Sequence, residues 1–307
     1  MLPLLAVIAA AVLFGTTGTS QALGPADTTP LGVGAMRLVV GGTALAALGF
    51  SLARRRRTAS GRRNPSLNHR AVLLMALTGV CLAAYQPLFF LGTARNGVAV
   101  GTVIALGSAP VLAGLIEWVL TRRVPRATWL GATALATAGV AFLAFGGDAG
   151  STGADPVGML GSIGAGAAFA VFANAQRRLM DAGWDPFTVA GAMGLGAAVC
   201  SALLLPFADV TWVLEPSGTI MVLWLGLATI AVAYTAFTWG LERLSAATAA
   251  TLTLAEPLTA SLLGIVVLGE LLSPLAVVGL IVLGGGLLLL AWGARPPRDP
   301  RPFVVEG

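Results

Sequence analysis

Leu241 to Leu289 reads LERLSAATAATLTLAEPLTASLLGIVVLGELLSPLAVVGLIVLGGGLLL. Two apolar stretches, 245–268 and 275–293, flank a connection of a few residues. Crossing a bilayer takes about 20 apolar residues in helical form, so each stretch is long enough. One acid, Glu256, sits near the middle of the first stretch and is followed by Pro257. On insertion scales an acidic group facing lipid there costs roughly 2.5–3.5 kcal/mol. Protonation, an arginine partner or an aqueous cavity would each lower that cost. The stretch predicts a helical membrane protein.

The rest of the chain repeats the pattern. Further apolar segments fall at 3–23, 31–51, 71–93, 97–120, 127–146, 157–177, 187–207 and 217–240, which makes ten in all. Apolar residues are 57% of the 307 without counting the 40 glycines, and only 10% are charged. A soluble chain carries roughly 25% charge, so these few charges cannot cover a water-facing surface of this size. Such abundant apolar area also excludes disorder. The first segment has no basic residue before it, so it reads as a transmembrane helix, not a cleaved leader. The expected fold class is an all-α integral membrane protein of ten transmembrane helices.

The net charge of +5 does not point to nucleic acid, because the arginines fall in short clusters between apolar runs and make no continuous basic face. Placing the N-terminus in the cytoplasm puts 54–57, 62, 63, 70, 122, 123, 126, 177, 178, 243, 295, 298 and 301 inside, 16 of the 18 arginines. The positive-inside rule therefore puts both termini on the cytoplasmic side of the membrane. Arg95, near an outer connection, is a mild exception. Cys81 and Cys200 lie far apart in apolar runs, and His69 is the single histidine. No metal site, disulfide framework or histidine-based catalysis is expected, and no cofactor. No GxxxxGK[ST] motif is present for ATP use.

The polar outer stretch GGDAGSTGADP, 146–156, divides the chain. It separates 1–146 from 157–294, with 147–156 as an extracytoplasmic linker and 295–307 as a cytoplasmic tail. Five spans is an odd number, so a second copy of such a unit enters the membrane inverted, a common carrier plan. Pro110 and Pro257 are 147 residues apart, and at that offset Ala113 meets Ala260 and Gly139 meets Gly286. The expected arrangement is two inverted five-helix repeats.

Motifs in both halves carry a family resemblance: LFGTTGTSQAL (13–23), AMRLVVGG (35–42), ARNGVAVGTVIALGSAPVLAGLIE (94–117) and the opening stretch with Glu256-Pro257 and Gly269-Glu270. The chain resembles EamA-type members of the drug/metabolite transporter superfamily over essentially 3–293. It departs from the pattern at LTRRVPR (120–126), which lacks the acid of LGELLSP (268–274). The resemblance implies a ten-helix alternating-access carrier in a bacterial-type inner membrane, often one exporting amino acids, metabolites or drugs. A membrane channel, or a non-transporting receptor or assembly protein, is the alternative. A membrane-embedded enzyme is not expected, because the acids are scattered and His69 has no acidic partner in its loop.

Candidate cargo contacts are the polar groups inside the spans. Glu256 reads as a coupling residue for protons or a contact for a cationic group, or else as a structural glutamate beside Pro257. Arg37 reads as a carboxylate contact, or as a side chain snorkelling outward. Glu117, near Arg122 and Arg123, reads as an interfacial pair. Thr16, Gln21, Tyr85, Gln86, Asn174, Tyr234, Trp239 and Thr253 are hydrogen-bonding or aromatic candidates, with ordinary helix packing as the competing reading. Pro87, Pro110 and Pro257 are candidate kinks or gates, and Pro257 should leave the Thr253 carbonyl without its helical partner. The expected partners are a small-molecule substrate and membrane lipid. A monomer and a homodimer are both compatible with the sequence.

Overall fold

The computed structural model describes residues 2–61, 64–122, 125–146, 155–269 and 271–293. Arg62, Arg63, Arg123, Asp148, Glu270, Arg295, Arg298 and Arg301 lie outside those residues, as do most of the linker and the tail. Among the described residues ten helices are long and apolar enough to cross a membrane. They are α1 Leu2–Ala22, α2 Pro30–Ala59, α3 His69–Gly97, α4 Val100–Thr121, α5 Ala127–Phe145, α6 Pro156–Asp181, α7 Pro186–Phe207, α8 Pro216–Leu241, α9 Ala246–Leu268 and α10 Pro274–Gly293.

Local chemistry sets where these helices start. Thr29, Asn68, Asp155, Asp185 and Ser245 each accept a backbone N–H of the following first turn, which satisfies a donor the helix leaves orphaned. Pro30, Pro156, Pro186 and Pro216 occupy first-turn positions, where no N–H is needed.

Helix ends depart from the apolar boundaries. α2 runs on through the arginine run 54–57 and is capped where Gly61 takes a left-handed conformation (φ 66°). Arginine is a good helix former, so leaving the oily region does not end the helix; the glycine cap does. The connection between segments three and four is a tight reversal: non-helical Gly97 (φ 80°, ψ 156°) separates α3 from α4, and Gly101 comes back against Gly92 and Thr93. That backbone conformation is open to glycine and costly for other residues.

Close helix contact rests on small residues. A β-carbon on Gly42 of α2 would lie 2.6 Å from the Gly194 carbonyl oxygen of α7, and one on Gly79 of α3 would lie 2.7 Å from the Gly196 Cα of α7. Gly139 and Gly279 hold α5 and α10 together in the same way. Backbones this near gain dispersion contact that lipid cannot replace.

The partner pattern is regular. α2 packs on α7, α4 on α9 and α5 on α10. α1 packs on α8 and α9, while α6 packs on α3 and α4. α2 meets α8 as α7 meets α3, and α4 meets α5 as α9 meets α10. Advancing every helix number by five, cyclically, reproduces this set of contacts.

Candidate functional site

Two helices are irregular where they pass the centre of the bundle. α9 breaks after Leu252 and resumes at Ala255. Pro257 has no N–H for the Thr253 carbonyl, and the Glu256 N–H takes that carbonyl instead at 2.9 Å. Of the three candidate kink prolines, Pro257 is the one beside a break. The helices run on across Pro87 and Pro110. α8 holds a π-helical stretch, Trp224–Val232, a widened geometry frequent at functional sites.

Beside these irregularities lies a cavity of about 660 Å³. It reaches from mid-bundle, at Phe169, Tyr234 and Thr253, toward the end opposite the termini, at Gln21, Thr102, Ala144 and Ser261. Its size is that of small-molecule sites, roughly 300–1,000 Å³. Aromatic and aliphatic side chains form most of the wall, including Phe14, Phe89, Phe90 and Phe169.

Gln21, Arg37, Tyr85, Gln86, Tyr234, Thr253 and Glu256 line this cavity, together with Pro257. The other candidates stand elsewhere. Thr16 donates to the Leu13 carbonyl at 2.7 Å and accepts the Trp224 indole N–H at 3.0 Å. Its neighbour Thr17, with Gln21 one turn on, faces the cavity instead. Asn174 donates to the carbonyls of Ala113 and Ala170 at 3.1 and 2.9 Å, tying α6 to α4. Trp239 lies nearer the terminus-bearing end, outside the lining. Glu117 forms no ion pair with Arg122 among the described residues. Its Oε2 accepts the Ala247 N–H at 3.0 Å, so it caps α9, because that helix start carries unpaired donors one bond away.

Arg37 is buried, at 7% exposure, and points from α2 into the lining. Its Nη2 donates to Thr229 Oγ1 in the π-helical part of α8 at 3.1 Å, while its Nε has no hydrogen-bond partner. The Glu256 carboxylate and the Tyr85 and Tyr234 hydroxyls form no hydrogen bond to another described residue. Gly15 lets α1 lie directly over the α9 break: a β-carbon there would sit 2.7 Å from the Glu256 carbonyl oxygen. The cavity therefore presents a guanidinium donor, a carboxylate and two phenols, all open to a guest. Thr229 carries no apolar-span signal in the sequence beyond being a threonine, and its role follows only from its place opposite Arg37.

Toward the terminus-bearing end the cavity is closed. Phe14 packs at a tilt against Tyr234 (centroids 4.9 Å apart), with Phe169, Phe172 and Phe237 packed around them. Below lie polar ties between helices. Trp129 Nε1 donates to Thr251 at 3.1 Å, and Thr133 and Thr251 share a hydrogen bond of 2.9 Å. Arg177 Nη1 donates to the carbonyls of Leu241, Glu242 and Leu244, at the end of α8. Arg56 bridges Asp185 at 3.3 Å and Glu242 at 3.4 Å.

The sequence model of the EamA-like transporter family matches residues 1–145 and 156–292. The Bacillus subtilis (strain 168) protein "Uncharacterized transporter YwfM" is 41% identical over 293 residues, covering 95% of this chain and 94% of that one. A solved structure described as "Crystal structure of protein" superposes with a TM-score of 0.77 at 22% identity, over 95% of this chain and 97% of the other. At that identity the likeness establishes the ten-helix fold.

Proposed function

This chain belongs to the EamA-like transporter family, a multi-pass membrane carrier of small molecules working by alternating access and not an enzyme, and from that we propose that its cargo is a small amphipathic molecule bearing a carboxylate. The observation that carries this reading is the buried Arg37 guanidinium, which lines the cavity and is tied to the protein only through Nη2, to Thr229. A charge-assisted bond to a carboxylate would neutralise that guanidinium. The aromatic wall would take the apolar part of the cargo, and Glu256 its cationic or hydrogen-bonding part.

Glu256 is also our candidate for proton coupling, because its carboxylate faces the cavity without a fixed partner. Two inverted five-helix repeats would rock about the cavity, a reading supported by the contact pattern that repeats every five helices. Arginine placement supports cytoplasmic termini. With that orientation the cavity faces outward, and the direction we favour is export.

Reconstituted carrier tests the reading. Radiolabelled amphipathic carboxylates, amines and neutral analogues are assayed for uptake and counterflow in proteoliposomes, with and without a pH gradient. Saturable counterflow restricted to carboxylate-bearing compounds is expected. Counterflow of amines alone would remove Arg37 from the cargo site.

A further inference from the structure

A second cavity, about 600 Å³, lies at the terminus-bearing end of the bundle, remote from the central one. Phe50, Ala53, Arg54 and Arg57 of α2 form one wall. Their spacing of three, four and seven residues puts them on one helix face. Asn64, from the connection between α2 and α3, and Asp185 and Thr188, at the start of α7, form the opposite wall. That wall is fixed in place: Asn64 accepts the Asp185 N–H at 2.9 Å and donates to Thr188 Oγ1 at 2.9 Å.

The charges around the groove do not cancel. The Asp185 carboxylate is occupied by Arg56 at 3.3 Å and by the Phe187 and Thr188 N–H groups. Glu242 is held by the same arginine at 3.4 Å. Arg56 also stands over the Phe187 ring, 5.1 Å from its centroid. Arg54 and Arg57 have no carboxylate partner among the described residues. Of the three arginines that line the groove, Arg56 is taken up by the Asp185 and Glu242 carboxylates and Arg54 and Arg57 are not, while the other end, at Phe50 and Ala53, is apolar.

This gradient from apolar to cationic follows α2 as it leaves the hydrocarbon. We propose that the groove binds an anionic phospholipid, its phosphate between Arg54 and Arg57 and an acyl chain along Phe50. Arginine forks suit phosphate oxygens in bidentate fashion, and basic pockets between helices at this membrane depth suit anionic headgroups. A free phosphate would satisfy the arginines but leave the Phe50 end without a partner.

The test is native mass spectrometry of the full chain, released from nanodiscs of equal phosphatidylglycerol and phosphatidylcholine. Retained phosphatidylglycerol should exceed phosphatidylcholine in the wild type. In the R54Q/R57Q variant that preference should fall by roughly tenfold, while R54K/R57K keeps most of it. An R122Q/R178Q variant removes equal charge at the same end, outside the groove, and should keep the preference. Equal retention of both lipids by the wild type would overturn the proposal, and that measurement needs no variant to fold. So would an equal loss in R122Q/R178Q, which would make the effect one of overall charge. Thermal stabilisation by inorganic phosphate alone, lost in R54Q/R57Q, would assign the groove to a soluble anion and not a lipid.

Discussion

Arg37 and Glu256 face one cavity without pairing to each other: the guanidinium is tethered to Thr229 at 3.1 Å, and the carboxylate has no hydrogen-bond partner among the described residues. Two opposite charges that shared one salt bridge would have little left for a guest. Held apart, each keeps its capacity, and the low-dielectric wall strengthens whatever each one binds.

The carboxylate is the group whose neutral mimic is most informative. Glu256→Gln keeps size and hydrogen-bonding shape but cannot exchange a proton. The folded protein is expected to lose gradient-driven accumulation and to retain counterflow of cargo down its own gradient. Flux in proteoliposomes with an imposed pH difference measures this. Accumulation in Glu256→Gln that still follows the pH difference would remove the residue from coupling.

Arg37 and Thr229 separate binding from positioning. Arg37→Gln loses a charge-assisted bond worth roughly 1.5–3 kcal/mol, so apparent affinity for a carboxylate cargo should weaken about ten- to a hundredfold. Thr229→Ala leaves the guanidinium in place but untethered, and should cost about 1 kcal/mol or less. Concentration dependence of uptake ranks the two. A larger loss in Thr229→Ala than in Arg37→Gln would mean that the hydroxyl itself contacts cargo.

The ten crossings were legible because apolarity over about 20 residues is a local property. Arg37 and Glu256 were legible because a charge inside such a run is rare and expensive. Helix faces were not. In lipid both the buried and the outer side of a helix are apolar, so the periodicity that orients a soluble helix is weak. Thr16 and Thr17 differ by a single residue, about 100° of rotation, and only Thr17 reaches the cavity. The Asn174 amide looked equally available from sequence, yet two carbonyls use it. The tether from Arg37 to Thr229 spans 192 positions, and only the packing of α2 on α8 brings it about. The short turn between segments three and four was legible as the gap between two apolar runs, and non-helical Gly97 makes it.

Glycines at helix crossings and glycines facing outward should respond oppositely. A β-carbon on Gly42 meets the Gly194 carbonyl oxygen at 2.6 Å and the Ala198 Cβ at 3.0 Å, so α2 and α7 must separate. Gly42→Ala should destabilise by about 1–3 kcal/mol. Gly284 in α10 has nothing within 4 Å of such an atom. Gly284→Ala should stabilise by up to about 1 kcal/mol through helix propensity. Thermal unfolding in one detergent compares them, and equal shifts would mean that the close approach of α2 and α7 is not limiting.

Glu117 ties α4 to the first turn of α9 on the closed side of the cavity. Glu117→Ala leaves the Ala247 N–H without its acceptor and should cost about 1 kcal/mol, as lost helix caps do. The end that it holds shut should also open more often. In a chain whose two native cysteines are replaced, a reporter at Thr248→Cys should then react faster with a water-soluble maleimide. Unchanged labelling alongside a lowered melting temperature would make Glu117 a cap and not part of a gate.

Acid should loosen the opposite end of the bundle first. Asp155 caps α6 through the Val157 N–H at 2.8 Å and bridges Arg95 at 2.9 Å. The Arg95 hydrogen bond, followed by the Val157 N–H, holds its carboxyl below the usual carboxylate range. A carboxyl depressed in the folded state favours folding in its ionised form. That contribution is complete above the unfolded value, about 3.9, and disappears as pH falls through the lower folded value. Wild-type protein should therefore lose protection of the first turn of α6 between about pH 5 and pH 2, read by hydrogen exchange at matched intrinsic rates. Asp155→Asn cannot ionise, so its exchange in that turn should be faster at neutral pH and nearly flat with acid. Parallel acid profiles for the two proteins would place the acid-sensitive contact elsewhere.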